Sequence, residues 1–208
     1  LVQEFARQAQ AVSPELVVTP GNCNAHTGLG DPYLPFREIL GLLTGDVETR
    51  WAGGAVTREN AIRLWQLFPA AGRALVDHGP DLIDTFLPAS TLLTRAALLA
   101  PGQAGWLAQA KRLMAARSAG GGGSVAQSDL FEQFARVIRT LSIRTPLLLI
   151  VDDAQWADTP SINLLFHLGR QLQRSRILLL VTCRPDDVAL GRFWAGSGSQ
   201  TSAGAGPG

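Results

Sequence analysis

The first half of the chain alternates short apolar patterns with breaks. Val2, Phe5, Ala6 and Ala9 recur at helical spacing with polar residues between them, which predicts a helix over 1–12 that Ser13-Pro14 stops. Glu15 to Thr19 carries the aliphatic run Leu16-Val17-Val18, with two β-branched valines, and predicts a short strand. Residues 20–35 are rich in Gly, Asn, Asp and Pro and read as a loop. Phe36 to Leu43 returns to helical spacing until Gly45-Asp46 breaks it. A further helix is expected over 57–68, with Thr57 as its N-cap and Ile62, Leu64, Trp65 and Phe68 as its apolar face. Pro69, Gly79-Pro80 and Pro88 punctuate short helices up to about Ala100, and another helix covers 103–117.

The second half is more regular. Residues 119–124, Ala-Gly-Gly-Gly-Gly-Ser, have the composition of a flexible linker, natural or engineered. Ser128 or Asp129 then caps an amphipathic helix whose apolar stripe is Leu130, Phe131, Phe134, Val137, Ile138 and Leu141. After Pro146, residues 147–151 form a continuous aliphatic run, which suits a parallel strand covered on both faces. Thr159-Pro160 opens another helix with Pro at its first position, and Ile162, Leu165, Phe166, Leu168 and Leu172 supply its buried face. Ile177 to Val181 predicts a second buried strand. From Ala195 onward the chain is Gly, Ser and Ala with one last Pro and reads as a disordered tail. Strands alternating with helices predict an α/β fold, an open, mostly parallel sheet with helices on both faces. Ligands of such sheets bind beyond the carboxyl ends of the strands.

Composition narrows the function classes only slightly. The 208 residues carry a formal net charge of +1, so no whole-chain field favours nucleic acid or a membrane surface. The longest aliphatic runs are too short to span a bilayer. Two distant cysteines, Cys23 and Cys183, give no disulfide framework, and a reducing, cytoplasmic setting is expected. The chain starts Leu-Val-Gln-Glu rather than with Met, as a fragment would.

The chemistry concentrates where the strands should end. Asp152 and Asp153 are adjacent carboxylates at the end of the 147–151 strand, a costly pair unless they hold something. A hydrated Mg²⁺ brought by a nucleoside triphosphate relieves that cost, with Asp152 holding the metal through water and Asp153 orienting an attacking water. The alternative is that both acids cap the following turn. Arg184 ends the next strand, where a planar guanidinium could reach a γ-phosphate or pair with Asp186 or Asp187. Trp156 could wall the same pocket or pack in the core. The Gly-rich stretch 21–30 is not a phosphate loop, which needs Gly-Lys followed by Ser or Thr. The only lysine, Lys111, stands between Ala110 and Arg112. Cys23 and His26 have a metal-like separation but no second pair. His78 and His167 read as surface or core-edge residues, and Trp51, Trp65, Trp106 and Trp194 as packing residues.

Leu-Leu-Leu-Ile-Val-Asp-Asp-Ala-Gln-Trp-Ala-Asp at 147–158 and Leu-Leu-Leu-Val-Thr-Cys-Arg-Pro-Asp-Asp at 178–187 resemble an AAA-type ATPase module of large bacterial regulators. These are the signal-transduction ATPases with numerous domains, whose module is similar to the origin-recognition-type AAA domain. The stretch 21–36 also resembles the loop after the second strand of that group. The likeness spans roughly residues 1–192, leaving 193–208 as the tail. It implies a P-loop NTPase-like three-layer α/β/α sheet with a large helical insertion at 36–142. Asp152 and Asp153 match the Walker B acids, Arg184 the sensor arginine, and the helix at 1–12 the helix that follows the P-loop. The Walker A strand and loop would then lie before Leu1, and the 177–181 strand would be an exposed edge.

The function implied is a part of an ATP-dependent regulatory switch that uses ATP and Mg²⁺ in the intact domain. Without Walker A, this chain should not hydrolyse ATP alone. Other domains of a parent regulator are the expected partners: tetratricopeptide repeats, a LuxR-type DNA-binding domain or a cyclase. Oligomerisation is possible, whereas direct nucleic-acid or membrane contact is not expected. The rival reading is a non-enzymatic interaction module in which 36–142 carries protein contacts.

Overall fold

The computed structural model describes residues 1–24, 32–99, 104–119 and 125–184. Linker residues 120–124, the residues after Arg184, and with them Asp186, Asp187 and Trp194, lie outside the described residues, as does His26. In chain order the elements are α1 (Val2–Val12), β1 (Val17–Asn22), α2 (Leu34–Leu43), α3 (Glu48–Ala52), α4 (Arg58–His78), α5 (Ala89–Leu99), α6 (Ala104–Ala119), α7 (Gln127–Ser142), β2 (Leu147–Asp152), α8 (Thr159–Gln171) and β3 (Ile177–Val181). Short 3₁₀ turns lie at Pro80–Leu82 and Ala154–Trp156.

The sheet has the order β1-β2-β3, and both pairings are parallel. β2 is the middle strand and its five aliphatic residues are all buried. Alternate side chains on a strand face opposite sides. Leu147, Leu149 and Val151 join the main core under α2, α4, α7 and α8, whereas Leu148 and Ile150 join Val18 on the other face. There Val2 and Ala6 of α1 pack against them, and Phe5 stays 42% exposed. Both expected layers are therefore present, one thick and one thin. In the thick layer Phe134 is fully buried between Phe36 and Phe86, with ring centroids 5.6 Å away in each case.

Several boundaries differ from expectation. β1 does not stop at Thr19 but continues through Pro20 and Gly21, because each of its six residues pairs with β2, from Val17 with Leu147 to Asn22 with Asp152. Pro is tolerated because β1 is an edge strand, where a missing N–H costs no ladder bond. A Cβ on Gly21 would lie 2.1 Å from the Pro35 carbonyl oxygen, so only glycine lets α2 press this closely on the strand.

α4 likewise runs through Pro69 to His78. An interior proline costs about 3 kcal/mol, but Leu64, Leu67, Phe68, Ala71, Ala74 and Leu75 are buried on both sides of it, and that packing outweighs the lost bond. Thr57 does cap α4, accepting from the Asn60 N–H at 3.2 Å. Ile62 falls off the buried stripe and is 42% exposed. Neither Ser128 nor Asp129 is the cap of α7; Ala126 holds that position without a side-chain bond. Asp129 acts from inside the first turn, where its charge favours the helix dipole. In α8 the cap is Asp158, so Pro160 is the second residue rather than the first.

The two sheet edges are unlike. On β1 the Asn60 side chain mimics a strand: its Oδ1 accepts from Val18 N–H at 3.0 Å and its Nδ2 donates to Val18 C=O at 2.8 Å. Pro20 has no N–H to offer, and Asn22 N–H donates to Glu38 Oε2 at 2.7 Å. Every outward amide of β1 is thus occupied or absent. β3, expected to be buried from its composition but an exposed edge from the family resemblance, is the other edge among the described residues, and Leu178 is 52% exposed. Its aliphatic composition reflects one covered edge only.

Replacing Asn60 by Ala should strand both Val18 backbone groups in a buried setting, at about 1–3 kcal/mol for each group. Urea unfolding monitored by circular dichroism checks this, and Asn60→Asp, which lacks the donor, should recover only part of the loss. By the same method Phe134→Ala should cost about 3–5 kcal/mol.

Candidate functional site

Three loops converge at the carboxyl ends of the strands. β2 ends at Asp152, and Asp153 turns the chain sharply with φ 56° and ψ 42°. Aspartate is among the few residues that accept this left-handed conformation readily. The Ala154–Trp156 turn follows, hooked to the end of β3 by Ala154 N–H donating to Thr182 C=O at 2.9 Å. On the other side the Cys23 N–H donates to the Asp152 carbonyl at 2.9 Å, so the chain leaving β1 stays on the ladder one residue further.

Thr182 ties the tips together. Its hydroxyl donates to Asp152 Oδ1 and accepts from the Asp153 N–H at 3.0 Å. The Asp153 N–H also reaches Asp152 Oδ1, at 3.1 Å. Both bonds to Asp152 therefore land on one oxygen, which fixes the carboxylate and leaves Oδ2 free of a described partner. Asp153 is exposed and accepts from Gln155 Nε2 at 2.9 Å. Asp158 accepts from Ser161 N–H at 2.8 Å and from its hydroxyl at 2.5 Å, which starts α8 beside the same acids.

Beyond β3, Arg184 lies over Trp156, with the guanidinium carbon 5.6 Å from the ring centroid, a cation–π arrangement. Trp156 is 46% exposed, so it is a surface platform and not a core residue. Arg184 makes no ion pair with a described residue. The tips thus bring together all three expected residues, Asp152, Asp153 and Arg184, on adjoining loops. Sequence reading passed over Thr182; the available signal was a hydroxyl residue directly after an aliphatic strand next to an acid-ended one.

The acids also act on Cys23. Burial chiefly, and then the negative charges of Asp158, Asp153, Glu38 and Asp152, push its thiol up to about 12. Glu38 is itself held by Arg50 at 2.5 Å. Among the described residues no group of three His, Cys, Asp or Glu side chains is placed to hold a metal directly. The donor set instead suits a hydrated hard cation: one half-buried carboxylate, anchored on one oxygen and open on the other, with a second acid adjacent.

A family model described as an AAA ATPase domain matches residues 1–181, and the chain belongs to that family of nucleotide-binding ATPase modules. No curated protein and no solved structure gives a significant match.

The raised Cys23 thiol has a pH signature. Its folded-state pKa lies above the ordinary 9, so the stability it contributes is full below pH 9 and is lost as pH rises towards about 12. Denaturation between pH 8 and 11 should show this decline, and Cys23→Ser should flatten it. At pH 8 iodoacetamide should label exposed Cys183 first and reach Cys23 only after unfolding.

Proposed function

We propose that this AAA ATPase domain serves as an ATP-dependent regulatory switch and that its strand tips supply the metal-side half of the nucleotide site. The observation that carries this reading is the Thr182 lock, which holds Asp152 rigidly at the tip of β2 next to Asp153, with Arg184 poised on Trp156 one strand away. In this reading Asp152 is the Walker B acid that holds Mg²⁺ through its water shell. Asp153 orients the attacking water, its backbone fixed by Thr182 and its side chain by Gln155. Arg184 is the sensor residue. Stacked rather than ion-paired with a described residue, its planar fork remains available to phosphate oxygens.

When bound, Mg²⁺-ATP supplies the labile γ-phosphoryl group; the residues of this chain position water and read the phosphate charge. A switch follows because Arg184 gains a partner only in the triphosphate state, and that differential contact biases the β3 end. The chain lacks Gly-Lys-Ser/Thr, and the amides and lysine of that loop provide most of a triphosphate's cradle. Two carboxylates and one arginine should not hold ATP tightly without them. The parent, we propose further, is a multidomain bacterial regulator of signalling or transcription.

A fluorescent ATP analogue titrated into residues 1–208 should bind no tighter than about 1 mM, equivalent to roughly −4 kcal/mol. Micromolar, Mg²⁺-dependent binding would contradict the reading of the missing loop. In the regulator that carries this domain, Asp152→Ala and Arg184→Ala should each abolish nucleotide-dependent output. Output that survives both changes favours the interaction-module alternative.

A further inference from the structure

A cavity of about 990 Å³ lies at the amino ends of β1 and β2, the opposite end of the sheet from the acids. With five residue steps between Val17 and Asn22, it sits roughly 16 Å along the strands from the acidic tips. One face of α4 forms a wall, with Arg63, Leu67, Ala70, Ala74 and Asp77 at helical spacing. The end of α7 and the loops before β1 and β2 supply the rest, including Leu141, Arg144 and Glu15.

The charges around this cavity do not balance. Three arginines line it, Arg63, Arg73 and Arg144, and the guanidinium of none of them has a hydrogen-bonded or ion-paired partner among the described residues. Both acids on the wall are engaged elsewhere: Glu15 with Arg176 at 3.5 Å, and Asp77 with Gln109 Nε2 at 3.2 Å. Arg63 is the telling residue: it lines the cavity half-buried, and one of its terminal nitrogens is shut off from solvent and unpaired, so its charge is incompletely hydrated. A guanidinium stays charged at any ordinary pH, so a buried, unpaired nitrogen on it is costly. Val17, Leu67, Leu141 and Ile143 give the wall apolar surface, and Gln66, His78, Thr140 and Thr145 add neutral polar groups to it.

We propose that this cavity binds an anionic amphiphile, a small molecule with one carboxylate or phosphate and an apolar body. The acid group sits on Arg63, with Arg73 and Arg144 adding positive charge at the rim, and the body lies against Leu67 and Leu141. The volume is at the upper end of the ~300–1,000 Å³ range of small-molecule sites. Arg63 lies one turn after Asn60, the residue that seals β1, so occupancy bears on the helix end that holds the sheet. This inference stands apart from the nucleotide reading, and its test involves no nucleotide.

Isothermal titration calorimetry on residues 1–208, with decanoate, decyl phosphate, decanol and decyltrimethylammonium below their micellar concentrations, provides the test. Decanoate or decyl phosphate should bind one-to-one and at least tenfold tighter than decanol, and the cation should not bind; the tighter of the two anions identifies the acid group. Arg63→Met should weaken the anion at least tenfold while the melting temperature of the empty protein holds or rises, since a charge with a buried, unpaired nitrogen is removed. Ala70→Trp, which fills the cavity from α4, should block binding with the far-ultraviolet spectrum unchanged. Equal affinity for decanol and the anions, no saturable binding, or anion binding indifferent to Arg63→Met would each overturn the proposal. So would a marked fall in melting temperature in Arg63→Met, which would make the arginine structural.

Discussion

Everything in this molecule is arranged around β2, a strand with no free side. It is paired on both edges and buried on both faces, so its neighbours in the sheet and its covering layers are all obligatory. That demand explains the length of β1, which continues through a proline and a glycine so that each β2 residue from Leu147 to Asp152 has a partner. It also explains why α4 tolerates Pro69: the helix is needed as cover, and its buried residues continue past the break. Where the burial ends, at Asp152, the chemistry begins. The first residue of the strand that is only half-buried is the first one that can carry charge.

The tips are organised by backbone as much as by side chains. Asp153 leaves the strand in a left-handed conformation, its amide is held by the Thr182 hydroxyl, and the next residue hooks to the Thr182 carbonyl. One threonine therefore sets the position of one carboxylate and the path of the loop that carries the other. Asp158 starts α8 with its own side-chain cap and adds negative charge nearby, which with Asp152, Asp153 and Glu38 helps keep Cys23 a thiol. The site combines a fixed acidic pair with an arginine stacked on an exposed indole.

Much of the architecture was legible in the residues, for identifiable reasons. The α7 stripe from Leu130 to Leu141 is buried as its period requires, and the run at 147–151 is a central parallel strand as its unbroken apolarity requires. The convergence of Asp152, Asp153 and Arg184 followed from placing each at a strand end. What was not legible depended on partners distant in sequence. Pro20 and Pro69 read as breaks because their tolerance comes from an edge position and from tertiary packing, neither of which is local. Nothing in the local pattern singles out Asn60, yet its side chain takes the place of a neighbouring strand for Val18, 42 residues away. β3 has the same aliphatic composition as β2 but lies at an edge among the described residues; composition alone suggested burial, because it reports what a strand can be packed against and not what it is packed against, and only the family resemblance pointed to the edge.

The unlike edges determine how copies of this sheet could associate. A sheet whose two margins both accept strands can add copies without end, as fibrils do. Here one margin is occupied by Asn60, Pro20 and Glu38, and only the β3 margin offers unpaired backbone among the described residues. Two of the described sheets meeting through β3 would consume each other's accepting margin and present the two occupied β1 margins outward. Such an assembly of the described sheets would close at two, with the same surface used on both sides.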